Sequence, residues 1–311
     1  MVDYNKKKML EEKGFKFKYP PKEGYVIPLT DDRVFRIFMR RKNNRKFLAK
    51  IISITTDIDY DFLINNMKIV DSDIPLDNIY THYNDQDVVV NIDKLTINVE
   101  MSNSKYMNKR KNERTAFKFA GNQHKIGEKY EEYDYVFYQI CIEDYSIFEN
   151  DLLITKTKLV DISSGNYESE TDEFIKFHVN LKNLDNSCYN ESVKYFKFFT
   201  LNKISDLENL VEGDEILMDS LNELKNISRD SILMDDLERR ELEEYCYKLA
   251  IMDAKNEGKD EGLSEGKQAG FNEGKQNEKI EIAGKMLKDN FDIDLISKYS
   301  GLSIEEINNL I

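Results

Sequence analysis

The chain has 311 residues, 40% of them hydrophobic and 33% charged, with a formal net charge of −14. That length admits one sizeable domain with an appendage, or two domains. No run approaches about 18 consecutive apolar residues, which excludes a membrane-spanning helix. Cys141, Cys188 and Cys246 are odd in number, widely spaced and free of any C-x-x-C pairing. They argue against a disulfide framework and a zinc site and for a reducing compartment. The opening MVDYNKKKMLEEKG has no apolar stretch and no small-residue cleavage site. It does not read as a secretory signal, so a cytoplasmic protein with no membrane partner is expected.

Charge is unevenly spread. Residues 1–130 hold 25 Lys+Arg against 18 Asp+Glu, whereas residues 131–311 hold 20 against 41. Polyanion binding by the first part stays open, because salt screens charges beyond about 10 Å and attraction is local. The acidity of the second part also serves simply to keep its helices in solution.

In chain order, residues 1–28 read as an irregular basic arm that ends in the Pro20-Pro21 and Pro28 breakers. A helix is expected from near Thr30, where TDDRVFRIFMRRK puts Val34, Phe35 and Phe38 on one face and acids in the first turn. KFLAKIISIT reads as a second helix after Asn44, and the texture turns to β beyond Asp61. DVVVN (87–91) and KLTINVEM (94–101) are β-branched runs closing over a polar Ile92-Asp93 turn, which predicts a hairpin. Residues 105–129 read as a basic helix, and YDYVFYQICI (133–142) as a buried central strand. DLLITKTKLVDI and FIKFHVNLKNL suggest two further strands, and almost everything beyond residue 190 reads as helical.

In the C-terminal part, Gly258, Gly262, Gly266, Gly270 and Gly274 recur every four residues. They are flanked by Glu257, Glu261, Glu265 and Glu273 and by Lys259, Lys267 and Lys275. Glycine costs about 1 kcal/mol in a helix interior relative to alanine, so the repeat needs a reason. Close helix-to-helix approach in a homo-oligomer is one; a charged linker helix with compositional drift is the other. The tail, DIDLISKYSGLSIEEINNLI, predicts helix, turn at Gly301 and helix, with Ser303 and Glu306 as a capping box. Its spacing is that of a helix-turn-helix, but Glu305 and Glu306 would repel phosphates, so a structural or pairing hairpin is expected.

Asp87 opens one hairpin strand and Glu100 closes the other. Pairing of the strands would let two carboxylates share a hard cation such as Mg²⁺, which favours oxygen ligands and can activate water toward phosphorus. After Glu100 come Lys105, Lys109, Arg110, Lys111, Arg114 and Lys118. On a helix Arg110, Arg114 and Lys118 form one stripe, able to contact nucleic-acid phosphates without reading bases; an ordinary solvated face is the alternative. His124 reads as a general base or as an exposed side chain. His82 and His178 have no acidic or cysteine neighbour at ligand spacing in the sequence. No glycine loop follows a strand, so no nucleotide cofactor is implied.

These segments together resemble the PD-(D/E)XK nuclease family of transposases, the recombination-promoting nucleases. The resemblance runs through LTDDRVFRIF, NRKFLAKIIS, DVVVN…INVEM, GEKYEEYDYVFYQICI, the EG-repeat helix and LISKYSGLSIEEI. It implies an α/β fold with a restriction-endonuclease-like core, a mixed central sheet flanked by helices, followed by an all-helical C-terminal region. It also implies Mg²⁺-dependent cleavage of DNA, with Mn²⁺ a possible substitute. Asp87 and Glu100 correspond to the metal carboxylates and Asp32 to an acid on the leading helix, with the Met101 carbonyl a plausible third ligand. The chain departs from the pattern at Ser102, where the superfamily has Lys and this family often Gln. Serine cannot stabilise developing charge as lysine does. Lys105, Arg114 or Gln139 would have to substitute, or the site cleaves slowly, or it binds without cutting. The expected division is an arm at 1–28, a core at 29–200, a helical extension at 201–254, the glycine-periodic helix at 255–290 and a hairpin tail at 291–311.

Overall fold

The structure is a computed structural model that describes residues 4–70, 87–103, 136–158, 163–165, 174–185 and 191–310. The chain divides into two units, one comprising Met1–Tyr4 with Lys16–Arg239 and the other Asn5–Phe15 with Arg240–Ile311.

The first unit is α/β. Its helices are α2 (Asp32–Arg40), α3 (Arg45–Thr56), α4 (Tyr60–Asn66), α5 (Glu191–Thr200), α6 (Ile204–Val211), α7 (Glu215–Arg229) and the start of α8 (Ser231–Lys288). The strands are β1 (Lys68–Val70), β2 (Val88–Ile92), β3 (Leu95–Ser102), β4 (Val136–Glu143), β5 (Ile154–Thr157) and β6 (Phe174–Asn180). They form one mixed sheet in the order β1-β2-β3-β4-β6-β5. β3, β4 and β6 run parallel, while β1, β2 and β5 are antiparallel to their neighbours.

Alternation along the strands explains the two faces of this sheet. Ile97, Val99 and Met101 of β3 share a face with Ile140 and Ile142 of β4 and with Ile175, Phe177 and Val179 of β6, all buried in the apolar core. Helices α2, α3, α5 and α7 complete that core, with Phe47 stacked edge-on to Phe38 at 5.5 Å between ring centres and tilted on Phe198 at 5.4 Å. The opposite face carries Asn98, Glu100 and Ser102, then Gln139, Cys141 and Glu143, then His178 and Asn180, and these too are buried. The near-continuous apolar reading of β4 thus comes from a strand covered on both sides.

The hairpin forms as expected, in the register Val88↔Val99 to Ile92↔Leu95. The turn itself is corrected from Ile92-Asp93 to Asp93-Lys94, because Ile92 still pairs with Leu95 in the ladder, and Asp93 is left-handed at φ 49°. Two other expectations are corrected. Residues beyond Asp61 do not go straight to β: Asp59 caps α4 by accepting from the Phe62 amide at 2.7 Å, and β1 begins only at Lys68. The basic arm is not wholly irregular, since α1 (Tyr4–Glu12) is a helix with Leu10 fully buried.

The second unit is helical. α8 is 58 residues long, so the helical extension and the glycine-periodic helix share one continuous element instead of two. α9 (Ile293–Ser300) and α10 (Ile304–Asn308) follow. Ala283, Ile296, Leu302 and Ile307 make a small core there. Gly301 ends α9 at φ 70°, and Ser303 and Glu306 form the expected capping box. No helix among the described residues is long and apolar enough to cross a membrane.

Candidate active site

The hairpin register puts Asp87, the residue before β2, opposite Glu100. Each is about 1% exposed. The Asp87 amide donates to Glu100 Oε1 at 3.2 Å, and the Met101 amide donates to Asp87 Oδ2 at 2.9 Å. Asn98, two residues before Glu100 on the same face, donates from Nδ2 to Glu100 Oε1 at 3.1 Å. Buried carboxylates need such donors, because an uncompensated charge out of water is costly. The Met101 side chain lies in the apolar core, so only its backbone belongs to the site.

Helix α2 supplies the countercharge. Arg36 Nη2 donates to Asp87 Oδ1 at 2.7 Å, and Arg40 Nε donates to the Asp87 carbonyl at 2.7 Å. Burial opposes the Arg36 charge, but Asp87, Glu100 and Asp32 outweigh it together and raise its pKa. The sequence alone singles out neither arginine. Their i, i+4 spacing places them on one side of α2, a signal present in RVFRIFMR but masked by the apolar residues between.

The start of α2 is fixed by Asp31. Its side chain caps the helix at the amides of Arg33 and Val34, and it accepts from the Tyr19 hydroxyl at 2.6 Å and from Lys18 Nζ at 3.1 Å. Asp32 follows at the first helical position. Its surface is exposed, yet the density of protein around its carboxyl, then the charges of Asp31 and Asp87, push its pKa above the usual carboxylate range. Asp32 therefore lies within the electrostatic reach of Asp87.

Ser102 is buried at the end of β3, paired in register with Glu143, and its carbonyl accepts from the Asp144 amide at 2.9 Å. Burial and the Glu143 charge push the Tyr145 phenol well up, with the Ser102 hydroxyl working the other way. Gln139 lies in register with Asn98 on the neighbouring strand and is fully buried. His178, which has no acidic neighbour in sequence, is brought by the β4–β6 register to Glu143, with Nδ1 at 3.1 Å from each carboxylate oxygen. The remaining expected nucleic-acid contacts, Lys105, Lys109, Arg110, Arg114 and Lys118, lie outside the described residues, as does His124.

The donor chemistry fits a hard divalent cation in kind, since Asp87 and Glu100 offer carboxylate oxygens from facing positions. Among the described residues no three His, Cys, Asp or Glu side chains form a metal-holding group. Such an ion would thus draw the rest of its shell from backbone oxygen and water, which Mg²⁺ accepts readily. Arg36 Nε and Asn98 Oδ1 are buried without a hydrogen-bond partner among the described residues. These polar atoms flank the two carboxylates and suit a site that takes water or a polar ligand. Comparison of the chain with protein-family models, with curated proteins and with solved structures gave no match in any of the three.

Proposed function

We propose that the chain is a divalent-metal-dependent endonuclease that hydrolyses phosphodiester bonds in DNA with low sequence specificity, of the recombination-promoting type that its motifs resemble. The observation that carries the reading is the facing pair Asp87 and Glu100, buried at the end of a hairpin beside Arg36 and Arg40. A mixed sheet with helices packed on its apolar face agrees with a restriction-endonuclease-like core.

In this reading Asp87, Glu100 and the Met101 carbonyl hold Mg²⁺ or Mn²⁺, with Asp32 contributing through water. The ion would supply positive charge for the phosphoryl oxygens and a lowered water pKa. Arg36, already oriented by Asp87, is placed to neutralise a phosphate oxygen next to the carboxylates. Lys105, Lys109, Arg110, Arg114 and Lys118 contact phosphates, which positions a backbone without specifying sequence. Ser102 stands where a lysine would stabilise charge, so cleavage is expected to be slow. The free thiols of Cys141 and Cys246 suit the reducing cytoplasm.

A second reading is a DNA-binding scaffold without catalysis. It is favoured by the Arg36–Asp87 ion pair, which already satisfies one of the two carboxylates, and by Ser102. Incubation of supercoiled plasmid with Mg²⁺ or Mn²⁺ separates the two. The nuclease nicks the plasmid and Glu100→Ala does not; retained binding with no nicking by the parent chain sinks the enzyme reading.

A further inference from the structure

Every residue of α8 from 250 to 278 is exposed. An added Cβ at Gly258, Gly262, Gly266, Gly270 or Gly274 would meet nothing within 4 Å. These glycines therefore serve no close approach among the described residues, yet each costs about 1 kcal/mol in a helix interior relative to alanine. Helices in proteins gain most of their stability by packing one face. Among the described residues this stretch has no such packing, while Leu263 and Phe271 lie 56% and 60% exposed.

The charge order identifies the missing partner. The triplet Glu-Gly-Lys recurs at 257–259, 265–267 and 273–275. At about 3.6 residues per turn, Lys259, Leu263, Gly266, Ala269 and Glu273 fall on one face. Lysine thus stands two turns before Gly266 and glutamate two turns after it. Reversing the chain about Gly266 lays Lys259 on Glu273, Leu263 on Ala269 and Gly262 on Gly270. A parallel register would instead lay Lys259 on Lys259 and Glu273 on Glu273, like charge on like.

We propose that residues 250–278 dock against the same stretch of a second copy of this chain, antiparallel, about a two-fold axis at Gly266. The arrangement makes each Lys259–Glu273 contact twice, and it lets the two backbones approach where Gly262, Gly266 and Gly270 carry no side chain. The interface is isologous, so it closes at the dimer. It is independent of the nuclease reading. If that reading also holds, the dimer carries two cutting sites.

Sedimentation of the full chain at low salt tests the pairing. The parent chain should be a dimer. Lys259→Glu and Glu273→Lys each create two like-charge contacts and should weaken the dimer by about tenfold. Mixing the two variants in equal amounts should restore it, as should the double exchange in one chain. Gly266→Leu should weaken association while raising helix content by circular dichroism. A monomeric parent chain overturns the proposal. So does a dimer that ignores the exchanges, one that no mixture rescues, as parallel pairing or a different partner would give, or one that Gly266→Leu leaves unchanged.

Discussion

Asp87 and Glu100 at the hairpin end, and Glu257, Glu265 and Glu273 along α8, are acidic residues in opposite surroundings. The first two are about 1% exposed, with backbone amides, Asn98 and Arg36 donating to them. The others stand in water on an exposed helix. Removal of a partner at the hairpin leaves a charge stranded out of water, whereas removal along α8 changes only what that helix can meet. The same chemistry thus fixes a fold in one unit and, in the proposed dimer, would specify a partner in the other.

The largest expected effect breaks the buried side of this contrast. Arg36→Ala strands Asp87 and should cost about 3 kcal/mol or more in urea unfolding, as for other buried ion pairs broken on one side. Asp31→Ala should cost about 1–2 kcal/mol by the same measurement, through loss of the α2 cap, and it also leaves the Tyr19 hydroxyl without its acceptor.

Asp32 sharpens the comparison because its sign is opposite. Its folded pKa is raised, so the folded state holds this proton more tightly than the unfolded chain does. Stability is therefore lost as pH climbs from the ordinary Asp value, about 3.9, through the folded one, and it stays lost at neutral pH. Asp32→Asn should raise the melting temperature at pH 7 and give no gain below about pH 4. Equal effects at both pH values would contradict this account. Smallest of all is the effect of Lys259→Glu on folding of the monomer, expected to lie within about 0.5 kcal/mol in urea at a dilution where the chain does not associate. A larger loss would mean that α8 is packed within its own chain.

What was legible in the sequence follows the same division between local and distant. The β2–β3 hairpin, the start of α2 and the Ser303–Glu306 capping box are encoded within a few residues; the capping box forms where expected, the hairpin turns one residue later, and α2 starts at Asp32, two residues past Thr30. The Arg36–Asp87 contact spans 51 positions and the Glu143–His178 contact 35, so neither leaves a local pattern. Residues 4–12 read as irregular because their charges hide a helix whose one fully buried side chain is Leu10. The texture beyond Asp61 reads as β because Phe62, Leu63 and Ile64 give no helical period in so short a run; the Asp59 cap is the available sign of the helix. The burial of the sheet's polar face leaves no sequence sign, since polar residues alternating with apolar ones, as Asn98, Glu100 and Ser102 do, ordinarily mark the solvated side of a strand, yet all three are buried.

The central claim is that Asp87 and Glu100 form a site for a divalent cation, and calorimetric titration with Mn²⁺ tests it without any need for turnover. The parent chain should take up the ion at this site, and Glu100→Gln, which keeps the size of the side chain while removing its charge, should weaken that uptake at least tenfold (about 1.4 kcal/mol or more). Binding that is absent from the parent chain, or unchanged in Glu100→Gln, would contradict the account.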